Sequence, residues 1–316
     1  MSTTIPAAPP ETAPVPRRKA KPALTDRARH ERRLGWLLAG PALFVMVAVT
    51  GYPILNALWL SFFDYRLTDP DGREFIWLAN YGTILGDGLF WKQFGVTAII
   101  TVITVSVELV LGFTLALVMH RALYMRTLLR TAILIPYGII TVVSAFSWQY
   151  AFSNTYGFVN PWFGLGDLDW FGGTATSLFA ICVAEIWKTT PFMSLLLLAG
   201  LAQIPNDYLE AAVVDGATPW QRLKRVILPN MKAAIMVALL FRTLDAFRIF
   251  DNVFIMTAGS QGTETLSFLA YRQTISRVMV GLGSAVSVIL ALLVVLIAFL
   301  FVKVFRTDLS QQQGGK

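Results

Sequence analysis

The sequence predicts an all-α polytopic membrane protein with six transmembrane helices and a helix-turn-helix segment between the fourth and the fifth. Three observations predict it. Of 316 residues, 55% are hydrophobic and only 14% charged, where an ordinary soluble domain carries about 25% charged residues. The mean hydropathy is +0.60. Apolar runs long enough to cross a bilayer, each needing roughly 20 residues, recur six times, and the charges between them are unequally distributed.

The first 33 residues are rich in Pro, Ala, Thr and Arg and lack an apolar face. They read as a disordered basic tail, 1–33, because such a composition cannot bury a core. The tail does not read as a cleavable signal peptide, since the apolar run after it is too long and no small-residue cleavage site follows. Its basic residues either set topology or lie against anionic headgroups.

The spans then follow in order: Leu34 to Leu60, Phe94 to Met119, Thr131 to Phe152, Ser177 to Leu201, Ala233 to Met256, and Val278 to Val304. Together they define a membrane domain over 34–306, with a C-terminal tail at 307–316. The third contains Pro136 and several polar residues and so belongs inside a bundle, where neighbouring helices satisfy freed backbone groups. Pro136 and Tyr137 mark a kink there, either at a gate or purely structural. Trp36, Trp59, Trp77 and Trp91 fall near span ends, where tryptophan anchors to the interface. Gly281 and Gly283, at the start of the last span, predict close packing. The loop from Ser153 to Thr176 is rich in Gly, Asn and aromatic residues.

Charge fixes orientation. An even number of spans puts both termini on one side, and eighteen of the 26 lysines and arginines fall on that side against five on the other. Basic residues accumulate on the cytoplasmic side, so both termini are predicted to be cytoplasmic. The opposite connections are acidic, with Asp64, Asp69, Asp71, Glu74, Asp87, Asp167, Asp169 and Glu264. The net charge of +7 therefore reflects topology and not affinity for nucleic acid.

Several chemistries are excluded by inventory. Cys182 is the one cysteine, and His30 and His120 are the only histidines, which leaves no His/Cys metal set and no Ser-His-Asp triad. GxxxxGK[ST] is absent, so the chain carries no phosphate-binding loop of its own.

The most informative segment is 205–229, a polar and basic interruption between the fourth and fifth spans, containing EAAVVDGATPWQRLKRVILP from Glu210 to Pro229. Pro205, Asn206 and Asp207 can begin a helix, and Asp215-Gly216 breaks it. Thr218 then caps a second helix, with Pro219 in the first turn and Gln221 completing a capping box. Leu228-Pro229 closes that helix before the next span. Ala211 and Ala212 permit close approach by a partner, Glu210 offers a charge, and Trp220 an aromatic anchor. An amphipathic loop resting on headgroups would have a similar composition.

That segment resembles the EAA motif of permease subunits of bacterial ABC importers: EAA, then a Gly, nine residues, and I-x-LP. Glu210, Ala211, Ala212, Gly216, Leu228 and Pro229 match in spacing, as does Asp215-Gly216-Ala217. Val226, Leu223 and Ala233 stand where the family commonly has Ile, Phe and Pro. The likeness covers about Leu34 to Arg306. Within the family it is similar to the carbohydrate-uptake, maltose-permease-like members. LVMHRALYMRTLLRTAILIPYGI, AEIWKTTPFMSLLLLAGL and LLFRTLDAFRIFDN are similar to permeases of trehalose importers. The resemblance implies a bacterial inner-membrane location and a transport subunit that is not itself an enzyme. It implies four kinds of partner: a second permease, two copies of a cytoplasmic ATPase that binds ATP and Mg, a sugar-binding lipoprotein, and the sugar. It also implies that an elbow bearing Glu210, Ala211, Ala212, Asp215, Gly216, Trp220, Leu228 and Pro229 docks on the ATPase.

Charges inside the spans are costly and face the bundle interior or a cavity. Glu108 lies in the second span, Glu185 and Lys188 in the fourth, and Arg242, Asp245, Arg248 and Asp251 at three-residue steps in the fifth. On a continuous helix the stripe would rotate by about half a turn, placing Arg242 about 13 Å and Asp251 about 27 Å into the membrane. Arg242 and Asp251 would then face different surroundings. By the resemblance, the spans flanking the EAA segment supply the sugar path. The residues available for hydroxyls and sugar faces are Lys188, Thr189, Phe192, Asp245, Arg248, Phe250, Asp251 and Asn252, with Trp187 and Phe247 nearby. Structural ion pairing between helices is the competing reading of the charges. A proton- or sodium-coupled carrier using Glu108, Glu185 or Asp245, and a non-transporting scaffold, are the competing functions.

Overall fold

The computed structural model describes residues 26–121 and 126–313. Of the expected disordered tail over 1–33, residues 1–25 lie outside them, as do the last three residues, while 26–33 are helical and begin α1. The chain divides into two compact units, one ending at Ile54 and one beginning at Leu55. The first is occupied by most of helix α1, Asp26–Leu60, which runs through Pro41 and Pro53.

In the second unit a hairpin follows. Strand β1, Phe63–Arg66, pairs antiparallel with β2, Asp69–Phe75, in the register Phe63↔Phe75, Asp64↔Glu74 and Arg66↔Asp69. This corrects the all-α expectation. The segment after α1 has no apolar stripe for a helix, and a two-residue turn at Leu67-Thr68 returns the chain between the strands. Next come α2, Ala79–Gly86, and α3, Gly88–Arg121. The third predicted span is two helices, α4, Arg126–Gly138, and α5, Thr141–Ala151, bent by 87°. Pro136 lies one turn before the break, so the kink expected there is present. A short α6, Val159–Phe163, leads to α7, Thr174–Leu201.

The 205–229 segment folds as two short helices around a turn. Helix α8, Asn206–Val214, starts after Pro205, and Gly216 takes the left-handed conformation at φ 75° that ends it. Helix α9, Pro219–Arg222, carries both capping-box bonds: Gln221 N–H to Thr218 Oγ1 at 3.3 Å and Thr218 N–H to Gln221 Oε1 at 2.8 Å. Pro229 does not end this helix. A wide π-type turn over Leu223–Ile227 carries the helical path into α10, Leu228–Asn230, where proline sits in the first turn. The bulge absorbs the residue whose N–H is missing.

The fifth predicted span is also broken. Helix α11, Lys232–Ala246, ends before a non-helical stretch at 247–250, and α12, Asp251–Met256, restarts beyond it. Helix α13, Leu266–Tyr271, then precedes α14, Val280–Gln313. Among the described residues, four helical stretches are long and apolar enough to cross a membrane: Arg33–Leu60, Gly88–Arg121, Thr174–Leu201 and Val280–Lys303. The bent pair makes a fifth.

Helices α3 and α7 pack along each other more extensively than any other pair, and α11 joins both. Met193 and Leu197 of α7, Val105 and Met119 of α3, and Ala238 and Ala246 of α11 form a shared core. The glycines expected to allow close packing do so. A Cβ on Gly281 would overlap the carbonyl oxygen of Phe63, and one on Gly283 the Thr274 side chain.

Candidate functional site

Where α3, α7 and α11 meet, apolar packing gives way to a charged cluster. Arg242 of α11 is completely buried. Its guanidinium donates from Nε to Glu108 Oε2 at 2.6 Å and from Nη2 to Glu108 Oε1 at 2.9 Å. Nη2 also reaches Glu185 Oε1 at 3.4 Å, and Nη1 bonds Asp245 Oδ2 one turn ahead. Thr189 Oγ1 lies 2.7 Å from Glu108 Oε1 and 2.6 Å from the Glu185 carbonyl oxygen, so one proton serves two acceptors. Asn252 of α12 donates to Glu185 Oε2 at 2.6 Å. The planar guanidinium fork matches a carboxylate bidentately. Its remaining donors engage further carboxylates, as a charge out of water requires.

This cluster forms the back wall of a cavity of about 430 Å³. Glu185, Lys188 and Thr189 line it from α7, Asp245 from α11, and Tyr137 and Thr141 from the ends of the bent pair. Arg248, Ile249, Phe250, Asp251 and Asn252 line it from the break and the start of α12. The cavity exists because the fifth span is interrupted: at 247–250 the backbone leaves the helical path and turns Arg248, Phe250 and Asp251 toward a common space. The rotation expected of a continuous helix therefore holds only as far as α11 runs, past Asp245 to Ala246. Arg242 and Asp251 do differ in surroundings, one buried behind the wall and the other on it, but the break is the reason.

Of the predicted path residues, Lys188, Thr189, Asp245, Arg248, Phe250, Asp251 and Asn252 all line the cavity. Phe192 stands one layer back, stacked on Tyr137 at 5.3 Å and 14°. The Lys188 ammonium lies 5.7 Å over the Tyr137 ring. The Asp245 side chain remains 61% exposed despite its bond to Arg242. Asn252 Oδ1 is buried without a partner. Arg248 donates Nε to the Leu244 carbonyl at 3.1 Å and makes no ion pair with Asp245 or Asp251 among the described residues.

Arg242, Glu108 and Glu185 were visible in the sequence as costly intramembrane charges, but nothing there coupled Arg242 to a residue 134 positions away. Chemically, the cavity offers carboxylates as acceptors, Lys188 and Arg248 as donors, an amide and hydroxyls, and the faces of Tyr137 and Phe250. A small number of convergent polar groups beside aromatic surface is the usual composition of a small-molecule site.

The 205–229 segment is far more exposed. Glu210, Ala211, Asp215, Gly216, Leu228 and Pro229 are exposed and Ala212 is half-buried. Trp220 is 70% and Val214 87% exposed, so this end presents unpartnered apolar side chains beside a free carboxylate.

Residues 108–311 match the family described as the binding-protein-dependent transport system inner membrane component, a range that holds every cavity residue. The chain is 53% identical over 279 residues to the trehalose transport system permease protein SugA of Mycobacterium tuberculosis, covering 87% of this chain and 89% of that protein. It is 37% identical over 294 residues to the trehalose/maltose transport system permease protein MalF of Thermococcus litoralis, covering 90% and 99%. It is 35% identical over 282 residues to the sulfoquinovosyl glycerol transport system permease protein SmoG of Agrobacterium fabrum, covering 88% and 92%. Among solved structures, a chain of a bacterial ABC transporter involved in the import of alginate is similar in fold, with a TM-score of 0.75 at 20% identity over 89% of this chain and 99% of that one.

Proposed function

We propose that this chain, which belongs to the family of binding-protein-dependent transport system inner membrane components, forms the membrane path of an ATP-driven sugar importer together with a second permease. Trehalose is the proposed cargo. The observation that carries the reading is the break between Ala246 and Asp251, which opens a charged, aromatic-edged cavity inside the membrane domain. Irregular backbone at membrane depth is tolerated where it lines a cavity, and broken helices in transporters mark the substrate path. The names of the trehalose relatives support the sugar.

On this reading the chain crosses the membrane six times, the bent pair being the third crossing and α11 with α12 the fifth. Both termini and the 205–229 segment face the cytoplasm, as the distribution of Lys and Arg indicates. The segment is the elbow on which a cytoplasmic ATPase pulls. Glu210 pairs with a basic residue of that subunit, Trp220 and Val214 fill its cleft, and Ala211 and Ala212 allow close approach. Gly216 and the capping box hold the two helices at a fixed angle, so force on α8 reaches α11 through Leu228 and Pro229.

The cycle is alternating access. ATP and Mg bind in the ATPase subunits, whose closure rocks the helices so that the cavity accepts sugar from an extracytoplasmic binding lipoprotein. Release of the elbow after hydrolysis opens the cavity inward. Lys188, Arg248 and Asn252 donate to sugar oxygens, Asp245 and Asp251 accept from hydroxyls, and Phe250 and Tyr137 cover apolar sugar faces. Nothing in this role makes or breaks a covalent bond in the chain itself.

A carrier driven by protons would need a carboxyl free to exchange one. Glu108 is clamped on both oxygens by Arg242 and Thr189, and Glu185 by Arg242 and Asn252, which favours structural roles for both; of the three candidate carboxyls only Asp245, 61% exposed, is left open to exchange. The test is purification of the tagged chain in mild detergent with mass spectrometry of its companions. An ATPase, a second permease and a sugar-binding lipoprotein are expected. A homo-oligomer that still transports would overturn the assignment.

A further inference from the structure

A second cavity, of about 870 Å³, lies at the opposite end of the α3–α7 pair from the hairpin, beneath the 205–229 segment. The sugar path does not use it. His120 and Arg121 reach it from the last turn of α3, Arg130 from α4 and Arg222 from α9, and among the described residues no acidic side chain lines it. Its remaining wall is largely apolar, with Leu117 and Leu209 among the contributors. Among the described residues, the side chains of Arg121, Arg130 and Arg222 form no hydrogen bond or ion pair, and the Nε of Arg222 is buried with no partner at all. Arg121 and Arg130 are exposed and Arg222 is half-buried, so water screens much of their repulsion, but the buried Nε of Arg222 is left costly unless an acceptor completes the site.

We propose that this cavity binds a phosphate group, with Arg121, Arg130 and Arg222 as its ligands. Guanidinium forks match phosphate oxygens bidentately, and the buried Arg222 Nε supplies a donor already stripped of water. The site's position selects among carriers of that group. Arg121 ends a span whose apolar stretch begins at Gly88, which places the cluster at the lipid–water boundary if the orientation proposed above is right. Basic pockets between helices at the cytoplasmic boundary bind anionic headgroups. The mixed wall suits a phospholipid, whose phosphate meets the arginines while its glycerol and first methylenes meet Leu117 and Leu209. A soluble phosphorylated compound shares the phosphate chemistry but has no use for the apolar wall.

The site bridges α3, α4 and α9, so its occupant would tie the elbow to the membrane helices. Lipid composition would then tune how firmly ATPase motion reaches the cavity.

The test uses the intact importer complex in detergent, examined by native mass spectrometry after titration with cardiolipin, phosphatidylglycerol or phosphatidylcholine, and separately with inorganic phosphate or a sugar phosphate. Retention of the two anionic lipids and not of phosphatidylcholine is expected, with each of Arg121→Gln, Arg130→Gln and Arg222→Gln weakening it about tenfold. Arg66→Gln, at the hairpin, serves as the control and should leave retention unchanged. Retention of sugar phosphate displaced by no lipid would assign the site to a soluble ligand and overturn the lipid source. Equal retention of all three lipids, or arginine variants as retentive as the parent, would overturn the site itself. Sugar uptake measured in parallel separates the two proposals: a complex that transports normally yet retains no phosphate-bearing molecule sinks this inference and leaves the importer reading standing.

Discussion

Arg242 and Glu108, 134 residues apart in sequence, form a bidentate ion pair with no exposure on either side chain, at 2.6 Å through Nε and 2.9 Å through Nη2. The pair joins α11 to α3, and Glu185 and Asp245 extend it to α7 and to the cavity surface. It is a structural clamp whose outer face, through Glu185 and Asp245, lines the cavity of the proposed sugar path. Removing one member of such a pair strands its partner. Arg242→Met should lower stability by about 3–5 kcal/mol, read as a lower unfolding temperature of the purified complex. Glu108→Leu combined with Arg242→Met should recover part of that loss. An Arg242→Met protein of unchanged stability would show that the clamp carries no weight.

Lys188 is the cavity cation with the least structural employment, its ammonium resting over Tyr137 without an ion pair among the described residues. Lys188→Met should therefore leave assembly intact while weakening sugar binding. The concentration for half-maximal uptake should rise about tenfold, the scale of one charged hydrogen bond. Lost assembly with unaltered half-saturation would place Lys188 in packing instead.

Glu264, in the connection between α12 and α13, is nine-tenths buried, and burial pushes its carboxyl above the ordinary value of 4.5, while Arg272, 2.8 Å away, partly counters the shift. A carboxyl that is harder to ionise in the folded state contributes stability that is complete below its unfolded value and is lost as pH rises through the folded one. The complex should thus lose some thermal stability on going from about pH 4 toward neutrality through this group. Glu264→Gln should remove that part of the slope. A variant with the parent's pH profile would show that Glu264 does not contribute.

Gly281 sits where a Cβ would overlap the carbonyl oxygen of Phe63, a backbone atom that cannot turn aside. Gly281→Ala should destabilise by about 1–3 kcal/mol, the range for overpacking. Gly164→Ala offers a contrast, since no atom lies near the added methyl there and only its left-handed backbone, φ 64°, is strained. Thermal unfolding of the two variants measures close packing against backbone strain. Equal loss in both would remove the packing argument at Gly281.

Much of this was legible in the sequence, and the exceptions have physical causes. Length and apolarity alone identified the long helices, and the Thr218/Gln221 box and Gly216 gave the turn at 205–229 in advance because capping is a local interaction. The break at 247–250 was not visible. AFRIFDN contains neither Gly nor Pro, and the interruption comes from contacts made elsewhere, including Thr265 Oγ1 bonding the freed carbonyl of Ile249 at 3.2 Å. The continuation of the helical path through Pro229 was hidden because a π-type turn has no simple residue signature. Seven of the eight predicted path residues line one cavity, since charge inside a span is itself a signal. Glu108 and Arg242 lie behind them because pairing across 134 residues leaves no periodic trace.

The central claim is that ATP hydrolysis in a partner drives sugar through this chain by way of the 205–229 elbow. It is tested most directly in proteoliposomes holding the complete complex, with binding protein outside and ATP inside, by following labelled trehalose. Uptake should require ATP and survive an uncoupler. Glu210→Ala should cut it by at least about tenfold, the scale of losing a central charged anchor, while the amount of inserted chain stays the same. Uptake that persists without ATP and collapses with the uncoupler, or that is indifferent to Glu210→Ala, would contradict the account.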